Sequence, residues 1–174
     1  MRSKISEDPG FASLERLLSG GAPSPAGASL LKTLGVSNFG QATRNLQSLA
    51  LHPAFPRGDP NFLAQFLGAL GETFEPERAL INFERILETR KNPDALLATL
   101  RRSNQKNTVL LTLAGGSQFL CDTVIRNTDH LEWLLRPSTL RRGPEKEKML
   151  RDLLKWVRRA AGATGAAAGA LRRY

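Results

Sequence analysis

The sequence has one cysteine, two histidines and no long apolar run, and each shortage removes a class of protein. A lone Cys121 excludes an internal disulfide framework and a multi-cysteine zinc site. His52 and His130 stand too far apart in the chain to read as a histidine-rich metal site. No window approaches the roughly 18 consecutive apolar residues of a membrane span. The phosphate-binding loop, the dinucleotide fingerprint and the H-E-x-x-H zinc motif are all missing. Behind the start Met1-Arg2-Ser3-Lys4 there is no apolar h-region, and Glu7 and Asp8 argue against a transit peptide. A chain with one cysteine and no export signal is expected in the cytoplasm.

What is present is charge, and it is uneven. The 174 residues carry a net +9. Residues 138–174 hold ten basic and three acidic side chains, leaving only +2 for everything before them. Arg141, Arg142, Lys146, Lys148, Arg151, Lys155, Arg158, Arg159, Arg172 and Arg173 supply that excess. Lys148, Asp152, Lys155 and Arg159 lie opposite a stripe of Met149, Leu150, Leu153, Leu154 and Val157, as in a solvated amphipathic helix. The tail's only aromatics are Trp156 and Tyr174, so base stacking on single strands has no support. Nucleic-acid binding, and a surface for an acidic partner or for the rest of a longer protein, are the other two readings.

Helix starts recur with one chemistry. Asp59-Pro60, Asn92-Pro93 and Gly143-Pro144 each precede an apolar-periodic stretch, predicting helices over Asn61–Leu70, Asp94–Arg102 and Glu145–Ala160. Pro76 between two glutamates opens Glu77–Arg90, with carboxylates at the positive end of the dipole. Ser117 and Thr128 are predicted caps for Gln118–Asn127 and Asp129–Leu135. Val109–Leu113 is the one strand-like run, and helix formers flank it. Phe11–Leu18 makes a short helix after Asp8-Pro9, and Gly20–Gly27 reads as a breaker-rich loop. The expected fold is all-α, an irregular multi-helix bundle of about seven to nine helices. Residues 1–36 are expected to be a loosely ordered leader with a short helix, 37–142 the helical body, and 143–174 a basic amphipathic helix with an Ala/Gly-rich end that looks truncated.

The chemistry-bearing candidates are few. Gly115-Gly116-Ser117, with Asp129 twelve residues on from Ser117, has the outline of a nucleotidyltransferase phosphate loop and metal carboxylate. The second carboxylate is out of step in Asp129-His130-Leu131-Glu132, so a C-cap glycine pair followed by a serine N-cap is the better reading. Cys121 reads as a buried structural thiol, His130 as a surface or partly packed side chain, and His52 as the end of a helix. No catalytic, cofactor-binding or metal residue is assigned.

Four segments carry a family resemblance. Ala79-Leu80-Ile81-Asn82-Phe83-Glu84-Arg85-Ile86-Leu87 resembles the leucine-x-asparagine-leucine-glutamate-arginine helix of bacterial glutamine synthetase adenylyltransferases, and Asn92-Pro93-Asp94-Ala95-Leu96-Leu97 follows in step. Leu111–Asp122 resembles that family's G-x-S-x-F-L-x-D segment. Asn127–Leu134 resembles the next segment, without its proline. The resemblance spans about residues 61–174. It implies an N-terminal helical segment of a bifunctional enzyme that adenylylates and deadenylylates glutamine synthetase with ATP and magnesium, under a nitrogen-signalling PII protein. The Gly-Gly-x-x-Glu and Ser-Asp-x-Asp motifs that carry the reaction are absent here, so the chain is expected to be inactive alone and to hold no cofactor. The alternatives are a free-standing helical interaction module and a basic nucleic-acid-binding domain.

Overall fold

In a computed structural model of the chain, the structure describes residues 5–142 and Arg151. The described residues form α-helices and no strand, as the periodicity predicts. Ten helices follow one another: α1 (Pro9–Leu18), α2 (Pro25–Thr33), α3 (Phe39–Leu51), α4 (Pro60–Gly71), α5 (Pro76–Glu88), α6 (Pro93–Arg101), α7 (Asn104–Gly116), α8 (Gln118–Arg126), α9 (Thr128–Leu134) and α10 (Pro137–Arg142). The expected helix Glu145–Ala160 and its leucine stripe lie outside the described residues, apart from Arg151, which is helical and exposed.

One local rule builds most of these starts. A polar side chain in extended backbone takes up a free N–H two or three residues on, and proline follows it at the first helical position, where its missing N–H costs nothing. Asp8 accepts from Gly10, Ser24 from Gly27, Asp59 from Phe62 and Asn92 from Ala95, each with proline next. Asn38 and Ser103 cap α3 and α7 without a proline. Asp59 is held below its ordinary range chiefly by the Phe62 N–H, against a smaller opposing effect of burial, with Arg101 adding to the lowering.

The first 36 residues differ from the expectation. Pro25–Thr33 is a helix, and its first three residues, Pro25–Gly27, belong to the breaker cluster that predicted a loop. Ser24-Pro25 is the same cap-and-proline start used elsewhere, masked in the sequence by Gly20, Gly21 and Pro23 around it. Phe11, Leu14, Leu17, Leu18, Leu30, Leu31, Leu34 and Val36 are all buried, so α1 and α2 belong to the core. Those extra turns, with the short α10, bring the number of described helices to ten against the seven to nine expected.

The described residues fall into two compact units, one up to Arg126 and one from Asn127 on. In the first, α7 packs against both α4 and α5, α1 pairs with α2, and α3 lies on α5. The strand-like Val109–Leu113 sits inside α7, where Asn107, Leu110, Leu111, Ala114 and Gly115 are buried at helical spacing. Phe55, Phe62, Phe66 and Phe83 interlock in the same core, with Phe66 and Phe83 ring centres 5.1 Å apart. In the second unit α9 packs on α10, and Leu131 and Leu135 are buried. Asn127 rather than Thr128 is the residue before α9, and its side chain makes no cap bond. Among the described residues no single helix is long and apolar enough to cross a membrane.

Candidate functional site

α5 is the most strongly two-faced part of the first unit. Leu80, Phe83, Ile86 and Leu87 are buried. Along one side of the same helix stand Arg78, Asn82 and Arg85, four and three residues apart and therefore neighbours on its surface. They meet the corner where α7 stops and α8 leaves at 116°.

A helix that stops leaves its last carbonyls without partners. Here a different helix supplies them. Arg78 donates from Nε to the Gly115 carbonyl at 2.9 Å, and also from Nη2, while its Nη1 lies 3.1 Å from Glu75. Asn82, buried at 1% exposure, donates from Nδ2 to the Ala114 carbonyl at 2.8 Å and to Gln118 Oε1 at 3.1 Å. Its Oδ1 accepts from Arg85 Nη1 at 3.0 Å. Arg85 Nη2 reaches Asp122 Oδ1 at 3.1 Å, and Gln118 Nε2 donates to the same oxygen at 2.9 Å. Asn82, Gln118, Asp122 and Arg85 thus close a ring of hydrogen bonds around the corner. Farther along, Arg90 donates to the Val124 carbonyl near the end of α8 at 3.2 Å.

The glycines and the serine of the corner have distinct jobs. Gly115 and Gly116 were expected to cap the helix from outside; both lie within α7, and neither has a positive φ. A Cβ on Gly115 would stand 3.0 Å from the Glu75 carbonyl and 3.2 Å from Ala79 Cβ, so a side chain there would have to push the start of α5 away from α7. A Cβ on Gly116 would meet nothing within 4 Å. Ser117 caps α8 as predicted: its hydroxyl accepts from Leu120 N and its carbonyl from Cys121 N. The phosphate-loop outline is thereby replaced by helix packing and capping. Asp129 is an exposed residue in the first turn of α9, in the other unit.

The remaining candidates are as quiet. Cys121 is fully buried, and that burial pushes its thiol up, with Arg85 opposing and Asp122 reinforcing. A thiol held protonated is a poor nucleophile. His52 closes α3, and its Nδ1 accepts from Ala54 N at 3.2 Å, which places any neutral-state proton on Nε2. His130 is half-buried on α9. Of the basic tail, only Arg141, Arg142 and Arg151 fall among the described residues, the first two in α10. No three His, Cys, Asp or Glu side chains among the described residues gather to hold a metal.

Arg78 and the long-range bonds of Glu77 and of the Asp59–Arg101 pair escaped the sequence reading, which took Asp59 and Glu77 only as helix-start residues. Glu77 accepts from Ser37 N at 2.6 Å, Ser37 Oγ at 2.7 Å and Asn38 N at 3.0 Å, pinning the start of α3 to the start of α5. Arg101 donates twice to Asp59 Oδ2, joining the end of α6 to the start of α4. Each links residues about 40 apart, which no local pattern announces. Asn82 did leave a signal, an amide between buried Leu80 and Phe83 that had to find a partner. The α7–α8 corner also exposes large apolar side chains, with Phe119 at 78%, while Phe74 stands at 87% beside Thr73 and Glu75, which flank Gly115. No protein family, no curated protein and no solved structure matches the chain.

Proposed function

We propose that the chain is a non-catalytic helical segment of a glutamine synthetase adenylyltransferase-like protein, acting as a scaffold for domains that carry the AMP-transfer chemistry. The observation that supports this reading is that two stretches carrying the resemblance are bonded to one another. Asn82 and Arg85 of the first hold Ala114, Gln118 and Asp122 of the second. The polar side chains of the ring, Asn82, Gln118, Asp122 and Arg85, are taken up by each other, which suits a rigid support. In this reading ATP and magnesium belong to the parent's nucleotidyltransferase domains, glutamine synthetase and a PII protein are the partners, and the site of action is the cytoplasm.

Two measurements test it. The chain mixed with glutamine synthetase, ATP and magnesium should transfer no AMP, and turnover would overturn the non-catalytic role. The coding sequence beyond Tyr174 should continue into Ser-Asp-x-Asp in the same frame. A frame without it, together with no binding to glutamine synthetase or PII, removes the family reading. The exposed Phe74 and Phe119 favour a second reading, a helical interaction module that needs no enzyme around it. A basic nucleic-acid binder requires affinity for DNA or RNA that falls steeply with salt.

A further inference from the structure

We infer that the cleft between the ends of α1 and α3 binds a small amphiphilic carboxylate. The cleft is open to solvent along one side and has a volume of about 470 Å³. Its floor is the buried side chains of Leu17, Leu18 and Ala50. Leu51 also lines it and is 79% exposed, a cost in apolar surface that α3 does not need for its own packing. Gly20, in the same lining, turns the chain at φ +90° with open space where a side chain would be. Arg57 is the one charged residue of the lining.

The arginine is held in place rather than free. Phe55, two residues before it, is buried edge-on against Phe62 and Phe66. The Arg57 N–H donates to the Phe55 carbonyl at 2.8 Å, and the Arg57 Nη1 donates to the Ala50 carbonyl at 2.7 Å. A guanidinium has five N–H donors, and this contact uses one. A cation held in an otherwise apolar and neutral lining matches a ligand with an aliphatic body and a carboxylate head. Gln47 adds an amide to the same lining.

Titrating the full chain with decanoate below its aggregation concentration, followed by amide NMR shifts, tests this. Saturable one-to-one shifts are expected at residues 17–20, 47–51 and 57. Decanol should bind about fivefold more weakly, the size of one partly exposed charged contact. R57A should bring decanoate down to the decanol level. L51D, at an exposed position where folding is not at stake, should abolish both. Equal affinity for decanoate and decanol, shifts centred elsewhere, or undiminished binding by L51D would each overturn the assignment. If R57A fails to fold, L51D and the decanol comparison decide it.

Discussion

Two corners in this fold solve the same problem with the same residue type and different completeness. At the α7–α8 corner, Asn82 reaches the orphan Ala114 carbonyl from 32 residues away, and both ends of its amide are bonded. At the α6–α7 corner, Asn107 reaches the Leu100 carbonyl from seven residues away at 3.2 Å. Its Oδ1 has no partner among the described residues. Both side chains are 1% exposed. A buried amide that is fully bonded holds structure together, while one that is half bonded gives back part of its gain in lost hydration.

The sharpest way to break that comparison is to replace each asparagine with leucine. N82L should cost about 2–3 kcal/mol, because Ala114 O and Gln118 lose their donor and Arg85 its acceptor. N107L should stay within about 1 kcal/mol, since it removes an unpaired oxygen along with one long bond. Urea unfolding at neutral pH measures both. Equal losses would show that the ring around the corner adds nothing.

The adjacent glycines sharpen it further. G115A should destabilise by about 1–2 kcal/mol, because the added methyl meets the Glu75 backbone and Ala79 across the α5–α7 contact. G116A should be neutral or stabilise by about 0.5 kcal/mol, since the position is open and alanine favours the helix. Thermal unfolding of the pair reads the difference directly. Similar behaviour at the two sites would remove close approach as the reason for glycine at 115.

How much of this the sequence discloses depends on how far each bond reaches. The starts of α4 and α6 were visible because cap, proline and apolar stripe sit within one turn of each other in Asp59-Pro60 and Asn92-Pro93. The same grammar at Ser24-Pro25 was hidden only by neighbouring breakers. Ser117 was legible as a cap because Leu120 and Cys121 follow at once. The Arg78–Gly115 and Glu77–Ser37 bonds were not legible, since their partners are brought together by packing of α5 on α3 and α7. Gly115 looked like a cap because a glycine pair usually ends a helix; its actual role depends on a backbone 40 residues upstream.

A third junction is held by charge instead of an amide, and so it should respond to pH where the asparagine corners do not. Burial alone would push the Glu77 carboxyl up. Bonds from the Asn38 N–H, the Ser37 hydroxyl and the Ser37 N–H outweigh it and hold the group at about 2, against an ordinary 4.5. A carboxyl depressed in the folded state favours folding fully above the unfolded value and loses that contribution as pH falls through the folded one. The staple's contribution should therefore be complete above about pH 5 and fade towards pH 2. After discounting for the solvent around it, E77Q should cost about 1 kcal/mol at pH 7. Stability curves of E77Q and the parent should converge as pH falls to 2; a constant gap would mean that the bond geometry matters and the charge does not.

The smallest effect belongs to the one ion pair in the ring. Arg85 and Asp122 meet at 3.1 Å, but their side chains are 44% and 34% exposed, so water competes for both. Their direct coupling should be about 0.5 kcal/mol and should shrink as salt screens it. D122N isolates the charge while leaving an oxygen for Gln118 Nε2 and for Arg85 to donate to. A double-mutant cycle of R85A and D122N, run at low and at high salt, measures the coupling itself. R85A alone should cost more than D122N alone, because it also strips the acceptor contact from Asn82 Oδ1, a buried atom that has no other partner in the ring. If D122N proves the more damaging, the ring is held at its exposed end, and the distinction between a buried, fully bonded asparagine and its solvated neighbours fails at the corner where it should be clearest.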